Sequence, residues 1–254
     1  MAEARGPMGL RKDLHIEALL NVPAIRGRWI KVHGKAPTEE TVKNMFKDFV
    51  PLQLAVLPKY TRLIPGTAAT VQQLRDEFQL RIGMTTGFQQ EMTAILLAAA
   101  KQQGFSPDVH VAGDEVTKPR PWPYMVWKNM ERLQLADPSL VVKVDDTASG
   151  IGEGLNAGAW TVGCYATSNY MDIDSPEHRN SLVRLHFLFF FSVFYFCFSF
   201  PQSTEEFERR AQKSRDILRA AGAHVLIRDI TWLPGAIRQL NHRLARGEYP
   251  PPFV

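Results

Sequence analysis

The stretch 139-SLVVKVDDTASGIGEGLNAGAW-160 decides the fold. Four of the five residues Leu140–Val144 are apolar, which predicts a buried strand. The strand ends in two adjacent carboxylates, Asp145 and Asp146, followed by Thr147 and a glycine-rich helical turn. In a sheet with helices on both faces, ligands sit at the carboxyl ends of the strands. Two acids at such a tip are weak evidence taken alone, since acids often cap the following helix, and they gain weight from the order of residues around them.

Working outward, strands and helices alternate. "LIPGTAATVQQLRDEF" predicts a helix, "LRIGMTTG" a strand and turn, and "FQQEMTAILLAAAKQQG" a helix closed by Gly104. "DVHVA" is a strand, "PYMVWKNMERLQL" a helix, "GIGEGLNAG" a short helix and "AWTVGCYA" a strand. "STEEFERRAQKSRDILRAAGA" predicts a helix with Ser203 and Glu206 as a capping box. Strand "HVLIRDI" and a helix through "LPGAIRQLNHRLARG" follow. The alternation implies an α/β fold with a doubly wound parallel sheet. Before it, roughly the first sixty residues read as helices. Val42, Met45, Phe46 and Phe49 share one face, and Pro51 is expected to kink or end that helix.

The formal charge of +4 on 254 residues, with no basic run, argues against nucleic acid and fits a small anionic substrate. Cys164 and Cys197 lack ligand spacing, and "MAEARGPMGL" has no apolar signal core, so a reduced cytoplasmic protein is expected.

One stretch breaks the pattern. Phe187–Phe200, "FLFFFSVFYFCFSF", holds eight of the fifteen phenylalanines. It is shorter than the ~20 apolar residues of a membrane span, so no membrane is expected. All its residues have T-rich codons. Val183-Arg184 can be read as GTAAGA and Gln202 as CAG, the two ends of an intron. The expectation is a translated intron over 183–202, whose removal joins Leu182 to Ser203 in frame.

The order strand, Thr86-Gly87, loop Arg120, strand, Asp145-Asp146 suits phosphoryl transfer. Backbone N–H groups at Gly87 can hold phosphoryl oxygens, Arg120 can pair with them, and the hard oxygen of Asp146 suits Mg2+. With "EARGPMGLRKDLHIEAL", "LIPG", "IGMTTGF", "DEVTKPRPWPYM", "VKVDDTASGIGEGLNAGAWTVG" and "LARGEYP", the chain resembles the phosphonoacetaldehyde hydrolase (phosphonatase) family of the haloacid dehalogenase superfamily.

That resemblance implies a Rossmann-like core at 63–254, interrupted at 183–202, and a partial helical cap at 1–62, through which two copies dimerise. It implies Lys12 as the Schiff-base lysine, with Met8 and His15 around it. Thr86 is the hydroxyl of the second motif, Gly87 and Phe88 contact substrate, Arg120 binds phosphate, and Asp146 holds Mg2+ with Asp145 behind it or as an alternative ligand. The implied reaction cleaves the C–P bond of phosphonoacetaldehyde. The alternatives are a phosphatase of small phosphate esters or a non-catalytic product. Outside the resemblance, Lys12 and His15 are helix-surface residues, Thr86 a turn residue and Met8 packing. The superfamily also opens on an apolar strand ending in an aspartate nucleophile. Asp13, Asp48 and Asp76 do not follow such a strand. The expectation is that the nucleophile is missing and the chain as written is inactive.

Overall fold

The computed structural model describes residues 2–173, 183–184, 202–203 and 205–251. Its first part is helical: α1 (Ala2–Arg5), α2 (Lys12–Asn21), α3 (Pro23–His33) and α4 (Glu39–Val56). Thr38 starts α4 by accepting from the Thr41 N–H at 3.3 Å. Pro51 neither ends nor interrupts α4. It lies on the exposed side, while Phe46, Phe49, Leu54 and the buried Leu57 carry the inner face past it. One lost backbone hydrogen bond is outweighed where the apolar stripe continues.

The second part alternates as the sequence predicts: α5 (Thr67–Phe78), β1 (Gly83–Thr85), α6 (Gln90–Gln102), β2 (Val109–Val111), α7 (Tyr124–Arg132), β3 (Val142–Asp145), α8 (Ala148–Asn156) and β4 (Trp160–Cys164). The two-residue strands β5 (Val183–Arg184) and β6 (Gln202–Ser203) follow, then α9 (Glu205–Ala220), β7 (Val225–Ile227) and α10 (Leu233–Ala245). The Phe-rich stretch 187–200 lies outside the described residues. Its flanks pair antiparallel, Val183 opposite Ser203 and Arg184 opposite Gln202. The Glu206 carboxylate is taken by Arg209 and Arg210 along its own helix; the Ser203 side chain, and with it the capping box expected at 203–206, lies outside what is described.

The core strands are all parallel. Among the described residues they form two groups, β1–β2 and β3–β4–β7. No backbone ladder joins β1 to β3; side chains bridge them, as Lys143 of β3 donates to Thr85 of β1. The apolar centre lies on the β3–β4–β7 side, where Trp160, Val162, Leu74, Leu233, Ile237 and Leu240 are almost fully buried. Each such side chain contributes roughly 1.5–3 kcal/mol through burial. This packing fixes the height of the strand tips, and with it the site. No helix among the described residues is long and apolar enough to cross a membrane.

Candidate active site

Two turns at strand ends face each other across the segment that leads into α2. After β1, Thr86 donates its N–H to Val111 O at 3.2 Å, and its hydroxyl accepts from Phe88 N at 3.1 Å. Gly87 follows, and a Cβ there would stand 2.9 Å from Leu10 O and 3.1 Å from Gly9 O. The backbones touch, so a side chain does not fit. After β3, Thr147 caps α8 by accepting from Gly150 N at 3.1 Å. Gly9, at φ +91°, presses on this turn: a Cβ would lie 2.3 Å from Ser149 Oγ and 2.5 Å from Thr147 Oγ1. Ser149 donates to Met8 O at 3.2 Å. Residues 8–10 thus thread between the two turns and deliver Lys12, the first residue of α2, over the Phe88 ring at 5.6 Å.

Lys12 has no anionic partner among the described residues, and burial lowers its pKa. An ammonium without a counter-ion in a half-dry setting gives up its proton more readily. His15, one turn further along α2, is buried at 7% exposure rather than lying on the surface. Met8 is half-buried, and its carbonyl is what the site uses.

Beneath the turns lies a closed ionic cluster. Arg120 donates to Glu153 Oε2 at 2.9 Å and to Thr85 Oγ1 at 2.8 Å, and it pairs with Asp145 Oδ2 at 3.2 Å. Lys143 pairs with the same Glu153 oxygen at 2.8 Å and with Asp145 at 3.2 Å, and it donates to Thr85 Oγ1 at 2.5 Å. All four charged side chains are under 10% exposed. Burial opposes ionisation of Asp145, but Arg120, Lys143 and the Thr147 hydroxyl override it and hold this carboxyl well below the usual range. Removing one partner of such a buried set costs about 3–5 kcal/mol, because the remaining charge is stranded.

Two cations balance two anions, which leaves Asp146 as the unbalanced charge. Its Oδ2 accepts from Asn169 N at 3.3 Å and Asn169 Nδ2 at 3.2 Å, with no ion pair among the described residues. Burial, reinforced by Asp145 alongside, pushes its pKa up to about 6. A carboxylate destabilised in this way is relieved by a cation. No group of three or more His, Cys, Asp or Glu suited to a metal occurs among the described residues. Mg2+ commonly takes one or two carboxylates together with waters and substrate oxygens, and a hard, uncompensated carboxylate such as Asp146 fits that donor set.

The expected residues fall into three groups. Thr86, Gly87, Phe88, Met8 and Lys12 meet at the threaded segment, while Arg120 and Asp145 are locked in the ionic cluster. Asp146 stands between that cluster and Asn169. Thr85, Lys143, Glu153 and Asn169 were not singled out from sequence. Lys143 had a signal: a charge at the centre of an apolar strand demands a buried partner. Glu153 and Asn169 had none, since acids on short helices and amides in loops are commonplace.

The parallel α/β core with its acidic strand tip is that of a haloacid dehalogenase-like hydrolase, and the family model for haloacid dehalogenase-like hydrolases matches residues 14–158. The chain is 36% identical over 248 residues to a phosphonoacetaldehyde hydrolase from Paraburkholderia phytofirmans, covering 98% of this chain and 85% of the relative. It is 39% identical over 196 residues to one from Bacillus cytotoxicus, covering 73% and 74%. A crystal structure of a phosphonoacetaldehyde hydrolase-like protein from Oleispira antarctica superposes with TM-score 0.86 at 34% identity, covering 98% of this chain and 82% of that one. The chain belongs to the phosphonoacetaldehyde hydrolase family of the haloacid dehalogenase-like hydrolases.

Proposed function

We propose that this site cleaves the C–P bond of phosphonoacetaldehyde to acetaldehyde and phosphate through an imine on Lys12. The observation that carries the reading is Lys12 itself: half-buried, lowered in pKa by burial, and seated over Phe88 beside the phosphoryl-binding turn. A carbanion is a poor leaving group, so the C–P bond needs an electron acceptor. The neutral Lys12 amine adds to the aldehyde and water leaves, giving an iminium. The electrons of the breaking C–P bond flow into it, so carbon departs as an enamine while phosphorus passes to a carboxylate. Water then releases phosphate from that carboxylate, and hydrolysis of the enamine frees acetaldehyde and Lys12.

Gly87 N–H, the Thr86 hydroxyl and Arg120 are the groups we assign to the phosphoryl oxygens. Asp146 is the residue that would hold Mg2+, whose contribution is to neutralise charge on those oxygens. We assign the attacking carboxylate to an extended segment pairing between β1 and β3. Among the described candidates, Asp13 is paired with Arg11 at 2.7 Å and Asp76 accepts from Gln72 at 2.8 Å, and neither ends an apolar strand. We place the cap at 1–62 and the core at 63–254. Exposed Val32, Leu52 and Val56 support pairing of two copies through the cap, which sedimentation would test.

The test of function is borohydride reduction in the presence of phosphonoacetaldehyde, followed by peptide mass mapping. A two-carbon adduct on Lys12 is expected; an unmodified Lys12 under conditions that trap other imines removes the reading.

A further inference from the structure

Asp146 is aimed by a loop, and that loop is tied to the cap. The loop runs through the short helical turn Asn169–Met171. Asn169 gives Asp146 Oδ2 both its backbone N–H and its side-chain amide. Ser168 donates to the Asp146 carbonyl at 2.7 Å and accepts from Tyr170 N at 3.1 Å. The Tyr170 hydroxyl accepts from Ala148 N at 3.0 Å, two residues past Asp146. The Ser168 hydroxyl, the Asn169 backbone N–H and side-chain amide, and the Tyr170 hydroxyl thus all bond to residues 146–148.

From the other side, Arg5 of α1 donates to Asn169 O at 3.1 Å and pairs with Asp172 at 3.1 Å. The Arg5 side chain is 18% exposed, so this contact is more shielded than an ordinary surface pair. Glu3 of the same helix pairs with Arg28 of α3 at 2.7 Å, so α1 travels with the cap helices. Arg210 of α9 anchors the loop to the core through Met171 O and Asp172 O, at 3.2 and 2.6 Å. Arg210 thus holds one side of the loop to α9, and Arg5 holds the other to α1.

We propose that Asn169 is a positioning residue for Asp146 and that Arg5 is the latch that engages it when the cap closes. A carboxylate pinned on one oxygen by two donors presents its other oxygen in a fixed direction, which a cation requires. With α1 lifted, Asn169 loses its outer tether and Asp146 its orientation. Cap closure and cation binding then favour each other, as linkage demands of two events sharing one element. The inference rests on the assignment of Mg2+ to Asp146, so two independent readouts are needed.

The first is calorimetric titration of the purified chain with MgCl2. Asn169→Ala is expected to bind about tenfold or more weakly, with a metal-free melting temperature equal to the parent's. The second, without metal, is amide hydrogen exchange. Arg5→Ala is expected to speed exchange across 146–150 and 168–172 while leaving β4 and α10 unchanged. Equal Mg2+ affinity in Asn169→Ala and parent overturns the positioning role. Unchanged exchange at 146–150 in Arg5→Ala overturns the latch. A parent that binds no Mg2+ overturns the metal assignment instead, and the exchange comparison alone then decides the latch.

Discussion

The carboxylate of Asp145 occupies the space into which a side chain on residue 150 would project. A Cβ built on Gly150 stands 1.9 Å from Asp145 Cγ and 2.1 and 2.2 Å from its two oxygens. Gly150 is therefore required by its neighbour rather than by its own backbone. Gly150→Ala would drive Asp145 out of its place between Arg120 and Lys143. The expected loss is about 3–5 kcal/mol, that of stranding buried charges. For a chain of this size that is a fall of roughly 10 °C in melting temperature. Adding Asp145→Gly to Gly150→Ala removes the overlap, so the double variant should lose clearly less than the sum of the two singles. Strict additivity in calorimetry would mean the carboxylate does not sit against Gly150.

Lys12 and Arg120 are both cations of the site, yet only one is asked to lose its proton. Lys12→Arg keeps the charge over Phe88 but is effectively never deprotonated. In a chain carrying the nucleophile strand, C–P cleavage by Lys12→Arg should fall below detection. Any turnover of a simple phosphate ester should persist, since that reaction needs no imine. Retained C–P cleavage would rule out an imine on Lys12 as the electron acceptor.

Asp146 predicts an unusual pH dependence. With its pKa raised to about 6 by burial and Asp145, against about 3.9 unfolded, the native chain holds a proton there that the unfolded chain has released. Metal-free stability should therefore decline as pH rises from about 4 to 6 and stay reduced above it, by about 2–3 kcal/mol from this group. Asp145, held below the usual range, acts in the opposite sense: its stabilisation is present at neutral pH and lost below about pH 4. Urea unfolding across pH 4–7 should show the decline in the parent and not in Asp146→Asn, which also loses Mg2+ binding. Asp145→Asn should instead lose stability at neutral pH. A parent curve as flat as that of Asp146→Asn would return Asp146 to an ordinary pKa.

The parallel fold was readable because apolar strands such as 140–144 and 160–164 alternate with capped helices, and period alone separates the two. The strand-tip positions of Thr86, Gly87 and Asp146 were readable from the alternation of strands and helices, whereas Lys12, on a helix, was singled out only by the family resemblance. What was not readable is the closure of the ionic cluster. Glu153 and Thr85 meet Arg120 from positions 33 and 35 residues away, and nothing local records such a meeting. At the start of α9, Glu206 pairs along its own helix with Arg209 and Arg210, a local i,i+3 and i,i+4 pattern that was as available to the sequence as a capping box. Of the two effects expected of Pro51, ending the helix does not occur, since a proline on the exposed face of a long amphipathic helix is tolerated.

The last prediction concerns the sheet and the Phe-rich stretch together. Among the described residues, β1 pairs only with β2, and β3 only with β4. The two strands face each other through Thr85, Lys143 and Arg120 rather than through a ladder. Each unpaired backbone group in such a setting costs about 1–3 kcal/mol, and several rival a total stability of about 5–15 kcal/mol. An added apolar strand ending in aspartate, joined ahead of Met1, should pair there and bring a carboxylate to the tip beside Asp146. Val183 and Ser203 are register partners, so deleting 183–202 joins residues already close together and removes an uncharged aromatic run prone to aggregation. The deletion should raise soluble yield, and the deletion with the added strand should raise the melting temperature and phosphate release above those of the unaltered chain. If neither change moves yield, melting temperature or phosphate release, neither the strand nor the intron reading survives.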